Sequence, residues 1–280
     1  MNDEEKRARL RDILADSKGT IAPGVTDALF ARLVQDCCFA AAHLSGNAVH
    51  KNFCLPDRNL LTATQIAQRI GQISEATEIP LIVDGGSICV EPITLARTVK
   101  LYERAGAAAI RFEDALVNEY GAGIEELDIA PLSFVVDRIK AAADARANAS
   151  LVLIARCDSR PVESLDQVRE RLAAYAEAGA DAVGVQLSDV ADFRGIGETA
   201  PAPLVSLWPK TEISAFEFFQ LGFRVALCPS SLALAAIGGA REMLLDLKQK
   251  GTDRSYFAQQ KTFAETEAWY KKLGTIPKPK

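Results

Sequence analysis

Pro80-Leu81-Ile82-Val83-Asp84-Gly85-Gly86-Ser87 is an apolar, β-branched run that stops at a carboxylate followed by two glycines. Too short for a helix of its own, it reads as a buried parallel strand that delivers an acid into a loop. Comparable runs end at Ser45, Glu113 and Arg156. A fold that gathers strand ends at one face brings these polar groups together.

Working outward, the chain repeats one unit: helix, glycine, strand. A helix from Pro92 to Ala105 stops at Gly106 and is followed by a strand over 108–112 that closes on Glu113-Asp114. Gly179 and Gly222 end helices in the same way before strands at 182–185 and 223–227, since glycine frees the chain to turn. Runs at 20–24, 38–43, 151–155 and 204–207 complete eight strands, nearly all separated by helices, and such alternation implies a parallel sheet. Eight strands favour a (β/α)8 TIM barrel over an open doubly wound sheet, and no GxGxxG follows the first strand. The expectation is one barrel domain over 1–280, with an N-terminal helix within 1–18, additional C-terminal helices at 231–248 and 255–272, and the C-terminal helix and tail falling within 250–280.

Composition fits a large core: 49% of the 280 residues are hydrophobic and 25% charged. The net charge of −5, with acids and bases interleaved, leaves no basic stripe for a phosphate backbone, so nucleic acid is not an expected partner. No apolar run has bilayer length, and residues 1–11 form a charged helix without a signal-peptide core; no membrane partner is expected. Six scattered cysteines without CxxC pairs indicate neither a zinc site nor a disulfide scaffold, and a cytoplasmic location fits them best. With only His43 and His50, histidine-rich metal sites have little material.

Asp84, Glu113 and Asp57 are acceptor-only when ionised, and converging carboxylates repel one another unless a cation sits among them. Such oxygen ligands suit Mg2+. The alternative is that Asp84 and Glu113 cap the helices after their strands. The Leu44-Ser45-Gly46-Asn47 stretch is a small polar loop whose backbone N–H groups suit an anion. Arg156 emerges from a buried strand, where its fork suits a substrate carboxylate or phosphate, or equally a salt bridge to Asp158 or to a barrel carboxylate.

Taken together these residues resemble the isocitrate lyase and phosphoenolpyruvate mutase superfamily, from about Arg7 to Ala240. Leu44-Ser45-Gly46 is similar to its substrate-carboxylate loop, and Leu55-Pro56-Asp57 with Leu60-Leu61-Thr62 to its gating loop. Phe112-Glu113-Asp114 resembles I-E-D, and residues 154–160 (IARCDSR) resemble I-A-R-T-D-A-R. The resemblance implies a (β/α)8 barrel, a homotetramer built as a dimer of dimers, with a C-terminal helix swapped between subunits. It implies Mg2+ (or Mn2+) that holds a small carboxylic acid and stabilises an enolate as a bond to C3 breaks or forms. Carried over by position, Asp84 ligates the metal, Asp57 and Glu113 act through waters, Ser45, Gly46 and Asn47 bind the carboxylate, and Arg156 meets a substrate oxygen.

Three departures shape the expected activity. Where the family reads D-A-D-T-G-Y-G, residues 84–90 read DGGSICV, so Gly86 replaces a second acid and metal affinity falls by about 10–100-fold. Where carbon–carbon lyases carry K-[KR]-C-G-H, residues 117–123 read VNEYGAG, without the cysteine acid or its lysine, which disfavours isocitrate or methylisocitrate lysis. Trp208 stands where members often present Asn, implying a more apolar substrate pocket. Decarboxylation of an oxaloacetate-type acid survives these losses best, because solvent can protonate the enolate. The alternatives are a phosphonopyruvate hydrolase or mutase, and a metal-poor, non-catalytic relative that binds a dicarboxylate.

Overall fold

A computed structural model describes residues 1–56, 60–87, 90–116, 128–209, 212–260 and 263–273. Eight parallel strands close into a barrel in chain order: β1 (Thr20–Val25), β2 (Ala42–Leu44), β3 (Leu81–Ser87), β4 (Ala109–Glu113), β5 (Val152–Cys157), β6 (Ala182–Val185), β7 (Leu204–Leu207) and β8 (Phe223–Cys228). The helices are α1 (Asp3–Ala15), α2 (Ala28–Asp36), α3 (Gly46–Asn52), α4 (Ala63–Ala76), α5 (Pro92–Arg104), α6 (Leu132–Ala145), α7 (Leu165–Glu177), α8 (Val190–Gly197), α9 (Ala215–Gln220), α10 (Ser231–Lys250), α11 (Arg254–Gln259) and α12 (Phe263–Lys272). The expected TIM barrel is therefore the fold.

Local chemistry explains the punctuation. Asp27, Thr62, Ser164 and Ser214 accept backbone N–H bonds at the starts of α2, α4, α7 and α9, three of them in full capping boxes. Gly106, Gly179 and Gly222 take φ of +98°, +109° and +100°, the left-handed turn that carries each helix into its strand.

Two layers of core follow from the barrel. Leu10 and Leu14 of α1 join Ala22, Ile82, Ile154, Val205, Val225 and Leu227 in the interior, while a larger apolar shell lies between strands and helices. Arg7 donates to the carbonyls of Glu103 and Ala107, and Arg11 to that of Ser150, which places α1 against the N-terminal ends of β4 and β5. The opposite, C-terminal end is left for a site.

Two strands differ from expectation. The run 38–43 predicts a strand, but Cys38 adopts φ +64° and Phe39 N–H bonds back to Val34, so pairing begins only at Ala42. Conversely β3 does not stop at Asp84: it runs to Ser87 through a register shift, with Asp84 opposite Arg111 and Gly86 opposite Phe112. Gly85 is the extra residue of this bulge. A Cβ there would lie 2.4 Å from Phe112 Cε1, and Gly86 sits at φ +74°, so neither position readily takes an acid.

The chain divides into two compact units, Met1–Leu232 and Ala233–Lys280. The first holds the whole barrel. In the second, Leu234, Ile237, Leu244, Leu245 and Tyr270 are exposed. No helix among the described residues is long and apolar enough to cross a membrane.

Candidate active site

A cavity of about 230 Å3 opens at the C-terminal end of the barrel. His43 of β2, Asp84 of β3 and Arg111 and Glu113 of β4 line it, with Ser45, Gly46 and Asn47 at the start of α3 and Tyr102 of α5. A larger, more open hollow of about 890 Å3, around Met1, Lys6 and Thr77, gathers none of these strand-end groups.

Asp84 is the hub. Its Oδ1 accepts from Arg111 Nε at 2.8 Å and from Arg111 Nη2, and lies 3.3 Å from His43 Nε2. Its Oδ2 accepts the Gly46 N–H at 3.0 Å. Burial alone would raise the Asp84 carboxyl, but Arg111 and His43 outweigh it and hold the group well below the usual carboxylate range. Because an ionised Asp only accepts, His43 Nε2 must carry the proton in this contact. The geometry follows from register: Asp84 and Arg111 are direct cross-strand partners.

Glu113 forms the second cluster with Arg156, its partner across β4 and β5. Arg156 Nη2 lies 2.5 Å from Glu113 Oε2, while the same guanidinium forks onto Asp158, with Nε 2.6 Å from Oδ1 and Nη2 bonded to Oδ2. Both open readings of Arg156 as a salt-bridge partner are thus present together. Burial pushes Glu113 up to about 7 against the pull of Arg156, whose charge is shared with Asp158. Glu113 Oε1 is buried without a hydrogen-bond partner among the described residues. The neighbouring Asp114 faces away from the cavity, accepting from the Asp158 N–H at 2.8 Å and the Tyr175 hydroxyl at 2.6 Å, and so fastens the strand ends.

A pH dependence follows. Below the unfolded value of about 4.3 both states hold the Glu113 proton; between there and about 7 only the folded state does. The Glu113 contribution to stability is therefore complete at the acid side of that window and lost as pH rises through it. Urea unfolding across the window shows this loss, and Glu113→Gln flattens that part of the profile.

The other expected site residues divide. Ser45 caps α3, its Oγ accepting from the Ala48 N–H, and lines the cavity. Gly46 presents its N–H to an anion as expected, but the anion is the protein's own Asp84. Asn47 lines the cavity with a buried Oδ1 that has no partner among the described residues. Trp208 does not line it; its Nε1 donates to the Ile213 carbonyl at 2.7 Å, and Leu207 supplies the wall. Asp57, Cys89 and the 117–123 stretch lie outside the described residues. His43 and Arg111 are the residues that sequence reasoning missed. The available signal was a lone arginine inside the apolar run 107–112, where a charge needs a partner.

The described part of the expected donor set, Asp84 and Glu113 without Asp57, does not by itself fit Mg2+ or Mn2+. Among the described residues no group of three or more His, Cys, Asp or Glu converges on a point. Both Asp84 oxygens already accept bonds, and a guanidinium stands beside the carboxylate. The Arg111 charge offsets that of Asp84, so the pair offers a divalent ion little net Coulomb attraction.

Residues 10–248 match the phosphoenolpyruvate phosphomutase family. The chain belongs to that family. Its relatives include lyases: this chain is 32% identical to the probable 2-methylisocitrate lyase 2 of Corynebacterium glutamicum over 88% of its own length and 82% of that protein. It is 30% identical to the 2,3-dimethylmalate lyase of Eubacterium barkeri, over 92% and 91%. A solved 2,3-dimethylmalate lyase of the PEP mutase/isocitrate lyase superfamily superposes with a TM-score of 0.81 at 26% identity, covering 96% and 91% of the two chains. A phosphonopyruvate hydrolase solved with oxalate and Mg2+ shares the fold, with a TM-score of 0.82 at 24% identity over 97% and 95%.

Proposed function

We propose that this family member is a carbon–carbon lyase of the carboxy-lyase type, acting on a small 2-oxo or 2-hydroxy di-acid through an enolate, with oxaloacetate-type decarboxylation favoured. The observation that carries the reading is the cavity: about 230 Å3 at the strand ends, with a cation–carboxylate cluster and buried polar atoms that have no partners among the described residues. That volume suits an acid of a few carbons, well below the range of drug-sized ligands. Family membership and lyase relatives supply the reaction class.

In this reading Ser45 and Asn47 orient the acid from the start of α3. The electron pair of the breaking C3–carboxylate bond moves into C2–C3, CO2 leaves, and negative charge collects on the C2 oxygen beside the Arg111 guanidinium that lines the cavity. Glu113, pushed up to about 7, holds a proton in part of the population and stands as the group to return one to C3. Residues 117–123 (VNEYGAG) offer neither a cysteine nor a lysine, which supports decarboxylation over aldol-type cleavage.

The test is a screen of oxaloacetate, phosphonopyruvate and 2-alkylmalates for release of pyruvate or its homologues. Release from oxaloacetate above the uncatalysed rate, lowered in Glu113→Gln, is the expected result. If phosphonopyruvate alone is consumed, the chemistry is that of the P–C bond enzymes; if none is, the decarboxylase reading fails. Exposed Leu234, Ile237, Leu244 and Leu245 support association of copies, a dimer of dimers with exchanged C-terminal helices.

A further inference from the structure

We infer that the Arg111 guanidinium supplies the positive charge on which the small acid binds, in the role that a divalent cation would otherwise fill. The inference rests on the proposed function, since it names the group that meets the substrate. Asp84 then becomes a positioning residue and Arg111 a catalytic one.

Four observations carry it. Arg111 Nε and Nη2 both bond to Asp84 Oδ1, so the guanidinium is locked in one orientation by a carboxylate on the adjacent strand. Gly46 N–H and His43 Nε2 add to the contacts of that carboxylate, so both of its oxygens are already engaged by the protein's own groups. Arg111 is 5% exposed, lines the cavity, and its Nη1 is buried with no hydrogen-bond partner among the described residues. A buried, unpartnered donor on a fixed cation is a ready anion contact, because leaving it unmade is costly. Finally, Arg111 and Glu113 are two apart on β4, share a face and both line the cavity, and Arg111 Nη1 and Glu113 Oε1 are buried without hydrogen-bond partners among the described residues.

The geometry gives each partner a task. A planar guanidinium with one edge on Asp84 presents its remaining N–H groups to a carboxylate or to the C2 oxygen of a 2-oxo acid. Charge that develops on that oxygen when the bond to C3 breaks is met by a donor already in place. No co-reactant is needed beyond the acid and a proton.

The experiment is a calorimetric titration of the full chain with oxalate, a flat mimic of an enolised 2-oxo acid, after dialysis against EDTA and again with Mn2+ present, corrected by a protein-free blank for the Mn2+–oxalate complex, together with the electron paramagnetic resonance signal of free Mn2+ added to the protein without oxalate. Oxalate is expected to bind in EDTA with an affinity that Mn2+ changes by less than about twofold, with the free-ion signal undiminished. Arg111→Gln is expected to weaken oxalate by about 10- to 100-fold, the loss of one charge-assisted contact. Should that variant fail to fold, the wild-type comparison still decides. Oxalate binding that requires Mn2+, or a bound-ion signal, overturns the inference and leaves the lyase reading standing. Oxalate binding under neither condition overturns both.

Discussion

Replacing Asp84 with Ala is expected to destabilise the protein by about 3–5 kcal/mol and to abolish turnover. The cost comes from the partner left behind: the Arg111 side chain is 4% exposed and would stay buried without the carboxylate that accepts its Nε and Nη2. His43 Nε2 and the Gly46 N–H would lose the same acceptor. Urea denaturation measures the loss directly. The sign is checked by removing both charges: Asp84→Leu with Arg111→Met replaces the pair by apolar groups and should recover most of the stability while leaving the enzyme inactive. An Asp84→Ala protein within about 1 kcal/mol of wild type would show that the pair is weak and exposed in solution.

Arg156→Met carries the second large effect, expected at about 3–5 kcal/mol. Arg156 is 2% exposed and separates Glu113 from Asp158, both nearly buried; without the guanidinium two carboxylates face each other in a low-dielectric site. One of them then keeps its proton, and Glu113, already raised to about 7, rises further. The variant should therefore be least damaged at acid pH, and the gap to wild type in urea midpoint should widen as pH rises. A pH-independent loss would mean that Arg156 acts through packing alone.

The barrel was legible because its signals are local. Gly106, Gly179 and Gly222 mark the turns, and the strands between them are apolar runs bounded by capping residues. The departures arise where one residue does something its type rarely does. Cys38 takes a left-handed conformation that a sequence reader expects of glycine, which moves the start of β2 to Ala42. Gly85-Gly86 looks like a strand end but forms a bulge inside β3, because the space beside Gly85 is filled by the Phe112 ring of β4.

The site shows the same division. Asp84 and Glu113 were visible as acids at strand ends, and Ser45 to Asn47 as a polar loop. That Asp84 faces Arg111, and that Glu113 faces Arg156, depends on the register of β3, β4 and β5, which no single strand encodes. His43 has no local mark of function at all; it acquires one only because β2 lies beside β3 and brings its Nε2 to Asp84. The expected metal drew on the family pattern, and Gly86, with its positive φ, is where this chain leaves it.

A crystal structure of the protein grown with oxalate tests the account most directly. The account predicts oxalate in the cavity between β3, β4 and the start of α3, one oxygen within roughly 2.7–3.2 Å of Arg111 Nη1 and the Arg111–Asp84 pair intact. Oxalate bound elsewhere, or a metal ion on Asp84 with Arg111 swung away, would contradict it.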